Sequence, residues 1–327
     1  MSKVYSLVFA VILWSTNIKA LFLLKYLRRY MKSIIPKDIP VPELHGYLLG
    51  AVGPRPIAFA STINEKGEPN LAPFSFFNVF SANPPIAIFS PARRGRDNTT
   101  KHTYENVKRV KEVVINVVNY DLVQQCSLAS TEYADGVSEF EKAGLTPLKS
   151  DLVKPFRVAE SPVQFECKVN EVIELGTEGG AGNLVVAEII KIHLSEAVLT
   201  NEGKIDPTKI DLVGRMGGNY YSRAHGSALF EVAKPLTTLG IGVDQIPEDI
   251  KNSTILSGND LGQLGNVEQL PDETEVNEYR LIELSDLFVE LEDQPQQLET
   301  ALHKLAKEKL AEGAVQDAWK TLLSFNN

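Results

Sequence analysis

The chain has 327 residues, 43 % of them hydrophobic and 23 % charged, with a net charge of −9. That length allows two domains at the usual ~150 residues each, and the composition is globular, too apolar for a disordered chain. The charge is unevenly held: residues 236–327 carry 18 Asp/Glu against 6 Lys/Arg, leaving 27 basic and 24 acidic residues in 1–235. A near-neutral body beside an acidic tail excludes nucleic acid as the main partner, because neutralising phosphates needs a basic face. Cys126 and Cys167 offer no disulfide framework and no CxxC, which fits a reducing compartment. No histidine stands at HxH or HExxH spacing and no cysteine lies near one, so no metal site is expected.

Residues 4–18 are 15 uncharged positions, flanked by Lys3 and by Lys19, Lys25, Arg28 and Arg29. A spanning helix needs about 20 mostly apolar residues, and Ser15, Thr16 and Asn17 weaken this run further. Three readings stay open for residues 1–30: an upstream stretch ahead of a true start at Met31, a membrane anchor through residues 4–24, or an exported leader without a small-x-small cleavage site. As an anchor, its basic flank would keep the rest of the chain on the cytoplasmic side. The cytoplasm is the expected compartment.

Residues 31–235 read as a strand-rich domain. Apolar or alternating stretches predict strands at 57–62, 70–74, 86–89, 112–118, 165–175 and 183–194. The glycine cluster at 176–182 precedes a strand and not a helix, so it reads as a hairpin turn and not a phosphate loop. Short helices are expected at 99–108 and 122–128. Many strands joined by hairpin-length links suggest an antiparallel barrel. No GxGxxG or GxxxxGK[ST] is present, so neither a Rossmann domain nor a P-loop is offered. Residues 236–327 form an acidic, largely helical extension: Leu284, Leu287, Phe288 and Leu291, and Leu298, Ala301, Leu302, Leu305 and Leu310, recur at helical spacing. Those faces are expected to pack on the barrel or on a second subunit.

Three segments could carry chemistry. Residues 91–111 hold seven basic and two acidic side chains, with Arg93, Arg94 and Arg96 ahead of a helix whose N-cap would be Asp97 or Asn98. Such a helix start, with the Thr99 and Thr100 hydroxyls and a guanidinium fork, suits a phosphate; a solvated, capped basic loop is the other reading. Residues 72–90 interleave Ser75 and Asn78 with Phe74, Phe76, Phe77 and Phe80, either an apolar slot with a polar rim for a flat ring system or barrel core. Residues 214–222 add glycines for close approach, Arg215 and Tyr220, or are a plain turn. His193 is either a satisfied strand histidine or a group near a nicotinamide.

The sequences GPRPIAF at 53–59, PNLAPFSFFN at 69–78, NPP at 83–85, DNT at 97–99 and GRMGGNYY at 214–221 stand in the order found in flavin reductase-like proteins and flavoredoxins, which residues 31–235 resemble. The resemblance implies an FMN-binding split β-barrel that dimerises and holds FMN, or FAD, near the subunit interface. It implies that Arg55 lies close to the cofactor and that Ser75, Phe76, Phe77 and Asn78 run along the isoalloxazine and ribityl. Ser90, Arg94, Asp97 and Thr99 would surround the phosphate, with Arg215 and Tyr220 closing the pocket. Relatives commonly carry a lysine at the helix entry where this chain has Asn98, so which of Arg93, Arg94 and Arg96 supplies the phosphate charge stays open. The implied activity is hydride transfer from NADH or NADPH to bound FMN; the alternative is a flavoredoxin-like carrier that passes electrons to an acceptor protein without turning over nicotinamide. The flavin carries the difficult chemistry in either case, so no catalytic acid, base or nucleophile is assigned.

Overall fold

Alternation of apolar side chains between two faces organises the strands between residues 58 and 194. The computed structural model describes residues 31–134 and 136–326, so the readings of residues 1–30 fall outside the described part. Two compact units are present, one ending at Phe230 and the other starting at Glu231.

In the first unit, seven strands form one sheet: β1 (Ala58–Ile63), β2 (Pro69–Phe74), β3 (Phe77–Ala82), β4 (Pro85–Phe89), β5 (Glu112–Val117) and, after the two-residue strands β6 (Pro147–Leu148) and β7 (Arg157–Val158), the long β8 (Val163–Glu174) and β9 (Asn183–Leu194). Their order is β2-β1-β5-β8-β9-β4-β3, and every pairing is antiparallel. Side chains on a strand alternate between faces, and the two cores follow that period. Ala58 and Ala60, Val113 and Ile115, and Val185 and Ala187 fill the barrel interior with Phe89. Ile57 and Phe59 point the other way, onto Leu122, Cys126 and Phe140. The two terminal strands, β2 and β3, are not paired with each other, yet the Phe74 ring of β2 lies 5.4 Å from the Phe89 ring of β4. The sheet therefore curls until its ends meet across packed rings without a ladder, which makes the barrel split.

Around the sheet lie α1 (Val41–Ala51), α2 (His102–Arg109), α3 (Val123–Leu128), α4 (Glu139–Ala143), α5 (Pro207–Ile210) and the hairpin β10 (Val213–Arg215) and β11 (Tyr221–Arg223). Among the elements not expected from the sequence, two lie beside the candidate site. β3 arises inside the phenylalanine-rich stretch, because residues 77–82 find a partner in β4. α1 follows Pro36 and Pro40, with Pro42 in its first turn, where a missing N–H costs nothing. The boundary that bears on the site moves by three residues: α2 begins at His102 and not at Thr99, with Lys101 at its N-cap position, so Asp97 and Asn98 do not cap it.

The second unit has α6 (Glu248–Lys251), α7 (Gly258–Leu264), α8 (Glu273–Glu283), α9 (Ser285–Glu290), α10 (Pro295–Ala311) and α11 (Val315–Leu323). Capping boxes Ser257/Asp260 and Asp272/Glu275 start α7 and α8, and Pro295 starts α10. The predicted leucine faces pack on one another, Leu284 against Leu298 and Leu302. Trp319 is fully buried in a second cluster and donates its indole N–H to the Leu264 carbonyl at 3.1 Å. These helices thus have a core of their own. Among the described residues, no helix is long and apolar enough to cross a membrane.

Candidate functional site

The basic loop between β4 and α2 is tied down along its length. Ser90 donates its N–H to the Phe76 carbonyl at 2.9 Å, and its Oγ accepts the Asn183 N–H at 3.0 Å. Arg93 N–H donates to Ala181 O at 2.9 Å and Gly180 N–H to Arg93 O at 3.0 Å. The glycine cluster is the hairpin turn its context predicts, and it also braces this loop. A Cβ on Gly179 would sit 3.0 Å from the Arg94 carbonyl, so a larger residue there would push the loop.

The three arginines fall into different roles. Arg93 is locked inside the loop, its Nε on Asn98 Oδ1 at 2.7 Å and its Nη2 on Asn98 O at 2.8 Å. Asn98 has a left-handed φ of 57° and also donates to Thr177 O at 3.0 Å, a conformation Asn tolerates better than most residues. Arg94, with a side chain only 17 % exposed, donates from Nε to Glu132 Oε1 at 2.8 Å and from Nη1 to Thr99 Oγ1 at 3.1 Å and to Thr100 O. Arg96 is 70 % exposed; it pairs with Asp97 at 3.2 Å and with the second oxygen of Glu132. Asp97 accepts both the Thr99 hydroxyl at 2.6 Å and its N–H at 3.1 Å, and these bonds hold its carboxyl down to about 2. The hydrogen bond from Arg94, with Arg96 beside it, likewise keeps Glu132 below the usual carboxylate range.

Lys101 was not singled out from the sequence. Because α2 starts at His102, Lys101 is the lysine at the helix entry. Its ammonium lies 5.6 Å from the Phe74 ring centroid. Burial, reinforced by the like charge of Arg94, draws its pKa below the ordinary lysine value, so an anion beside it would be stabilising. Glu132 and Asn183 were missed as well. Neither stands in a motif; both reach the loop only through the tertiary fold.

A second limb joins the loop through Phe76. Arg55 is buried, with Nη1 on Leu49 O at 2.6 Å and on Val52 O, Nη2 on Met216 O at 2.9 Å, and Nε 3.4 Å from Ser75 Oγ. Burial first, and Arg215 second, lowers its pKa. Arg55 and Arg215 exchange both backbone hydrogen bonds at 2.9 Å. Gly214 permits that approach: a Cβ there would be 2.6 Å from the Pro54 side chain. The Arg215 guanidinium stacks 4.7 Å over the Tyr221 ring, and Tyr220 is 78 % exposed. The Phe76 ring is exposed and meets His45 edge-on at 6.1 Å. Phe77 turns inward against the barrel core, and Asn78 Oδ1 accepts the neighbouring Val79 N–H at 2.8 Å.

Arg55, Ser75, Phe76, Ser90, Arg94, Asp97 and Thr99 therefore form one connected neighbourhood with Arg215 at its rim. His193 does not join it. Its Nε2 lies 2.7 Å from Glu166 Oε1, at the opposite end of β9 from Asn183, roughly 30 Å away at strand rise. Asp151, Glu166 and His193 offer ligand atoms within 4.8 Å of one another. Those atoms are already engaged: Glu166 accepts the Asp151 and Leu152 N–H groups, and Asp151 pairs with Lys191 at 2.5 Å. Burial pushes the Glu166 pKa up, but these N–H groups and His193 outweigh it and hold the carboxylate ionised. The cluster is a closed ionic network with its own cations. Cys126 and Cys167 are free and buried, and burial raises the Cys126 thiol to about 12, which removes thiolate character at neutral pH.

Residues 51–209 match the flavin reductase like domain. An uncharacterized protein of Aquifex aeolicus is 36 % identical over 200 residues, covering 61 % of this chain and 100 % of that one. Nitrilotriacetate monooxygenase component B of Bacillus cereus superposes with a TM-score of 0.57 at 27 % identity, covering 62 % of this chain and 98 % of its own. A protein of Shewanella frigidimarina assigned as a flavin reductase with a split barrel domain gives a TM-score of 0.52 at 25 % identity, over 61 % and 96 % of the two chains. Barrel, motifs and matches agree: the chain belongs to the flavin reductase-like family.

Proposed function

We propose that the barrel unit binds FMN and accepts hydride onto it from NADH or NADPH. The observation that carries this reading is the gathering of separate sequence motifs into one neighbourhood that offers cations and hydroxyls at one end and an exposed aromatic rim at the other. A dianionic phosphate suits Arg94, Lys101 and the Thr99 hydroxyl, all beside the braced loop. The segment Ser75, Phe76, Phe77 and Asn78 would run along the ring and ribityl, Phe76 contributing its exposed face and Phe77, whose ring packs on the core, its backbone. Ser90 and Asp97 shape the loop, and Arg55, Arg215 and Tyr220 form the wall beside it. FMN, when bound, supplies the hydride-accepting chemistry, and the protein's part is to orient it and exclude water. Ile190, Ile192 and Leu194 leave an apolar stripe exposed along β9, and Val79 and Phe80 do so on the edge strand β3. Such a face suits a second copy, and a homodimer is part of this reading.

The test is direct. Purified protein from Met31 onward should be yellow, release FMN on denaturation, and bleach anaerobically when NADH or NADPH is added. A flavin that binds but resists both nucleotides would replace the reductase by an electron carrier serving an acceptor protein. Protein that binds neither FMN nor FAD would end the reading altogether.

A further inference from the structure

We propose that Glu132 is a built-in competitor for the flavin phosphate, so that this one carboxylate sets how strongly the protein prefers FMN over unphosphorylated flavin. This rests on the flavin reading above. Glu132 stands between α3 and α4, outside every motif of the site, yet its two oxygens bridge two arginines of the basic loop: Oε1 takes Arg94 Nε at 2.8 Å and Oε2 takes Arg96. Two acceptor oxygens spanning neighbouring guanidinium groups is the geometry a phosphate uses. The two sides of the contact are unequally held. Arg94 is fastened to Thr99 and Thr100 and is 17 % exposed, whereas Glu132 is 39 % exposed and Arg96 70 %. The arginine is part of the braced loop, and the carboxylate is the exchangeable partner.

A phosphate approaching Arg94 must therefore either displace Glu132 or share the guanidinium with it, at a separation where like charges repel appreciably even near a surface. Lys101, close enough for Glu132 to offset part of its depressed basicity, belongs to the same charge balance. Riboflavin has no phosphate and is indifferent to this competition. The alternative role, a carboxylate that merely orients the arginines, makes the opposite prediction, because neutralising it would then loosen the phosphate site.

Glu132→Gln keeps the size and removes the charge. FMN affinity, followed by flavin fluorescence quenching, should rise about tenfold, as expected for removing one partly screened like charge, with riboflavin affinity unchanged within about twofold. Weaker or equal FMN binding by the variant overturns the proposal and makes Glu132 a positioning group. Inorganic phosphate separates this result from failure of the flavin reading. If neither protein binds flavin but phosphate raises the Tm of Glu132→Gln more than that of the wild type, the flavin reading falls and the competition stands. If phosphate stabilises both equally, the competition falls too.

Discussion

Arg55 and Arg94 are both arginines that the family resemblance brings to the cofactor, but the fold treats them differently. Arg55 is buried and its Nη groups donate to the backbone carbonyls of Leu49, Val52 and Met216, which joins the end of α1 to the β10 hairpin. Arg94 donates to a carboxylate, a hydroxyl and one carbonyl at the edge of an exposed loop. Backbone carbonyls of a helix end and a hairpin cannot be exchanged for another group, so Arg55 is scaffold. A carboxylate on a neighbouring segment can be exchanged for another anion, so Arg94 is available to a ligand.

Four substitutions test that difference. The largest effect is expected for Arg55→Ala, which takes the donor from three part-buried carbonyls and should cost about 3 kcal/mol of unfolding free energy. FMN and riboflavin should weaken together; a variant with wild-type stability and a loss confined to FMN would reverse the assignment. Arg94→Ala should do the converse. A lost charge-assisted contact of about 1.5–3 kcal/mol corresponds to roughly 10- to 150-fold weaker FMN, with riboflavin little changed and stability lowered by less than about 1 kcal/mol. Equal losses for both flavins would make the loop a folding element.

Gly179→Ala reaches Arg94 indirectly. The new methyl would stand 3.0 Å from its carbonyl and 3.2 Å from Gly95 Cα, a mild overpacking of about 1 kcal/mol. The loop should shift by tenths of an ångström and FMN should weaken several-fold, while the barrel's hydrogen-exchange protection stays as it was. The smallest effect concerns Asp97. Its folded pKa of about 2 lies below the ordinary 3.8, so its contribution is fully present above about pH 4 and is lost as pH falls toward 2. Asp97→Asn should flatten the slope of Tm against pH in that window alone. An unchanged slope would mean that the Thr99 bonds do not form in solution.

Much of the barrel was legible because local chemistry and tertiary role agree there. The β-branched run of β5 and the long alternating stretches of β8 and β9 fall within a few residues of their predicted bounds, since burying such side chains on two faces leaves few alternatives to a strand. β3 was hidden by its phenylalanines. Residues 77–82 are largely exposed and make a strand only because β4 offers a ladder. The start of α2 was misplaced for a related reason: Asp97 uses its oxygen on Thr99 in a local turn, and that bond competes with capping a helix.

By itself the sequence determined the family, the strand-rich body, the acidic helical extension and the segments from which a flavin site would be built. These come from side-chain period, turn chemistry and short motifs, all of which are local. Only the tertiary structure decided what each charged group does. Arg93 is held by Asn98, Arg55 by the carbonyls of Leu49, Val52 and Met216 and Arg94 by Glu132, while Lys101 stands at the helix entry. A guanidinium carries the same charge wherever it stands, and the partners that set Arg55 and Arg94 apart, Met216 and Glu132, come from remote parts of the chain. Their identity is settled when the barrel closes.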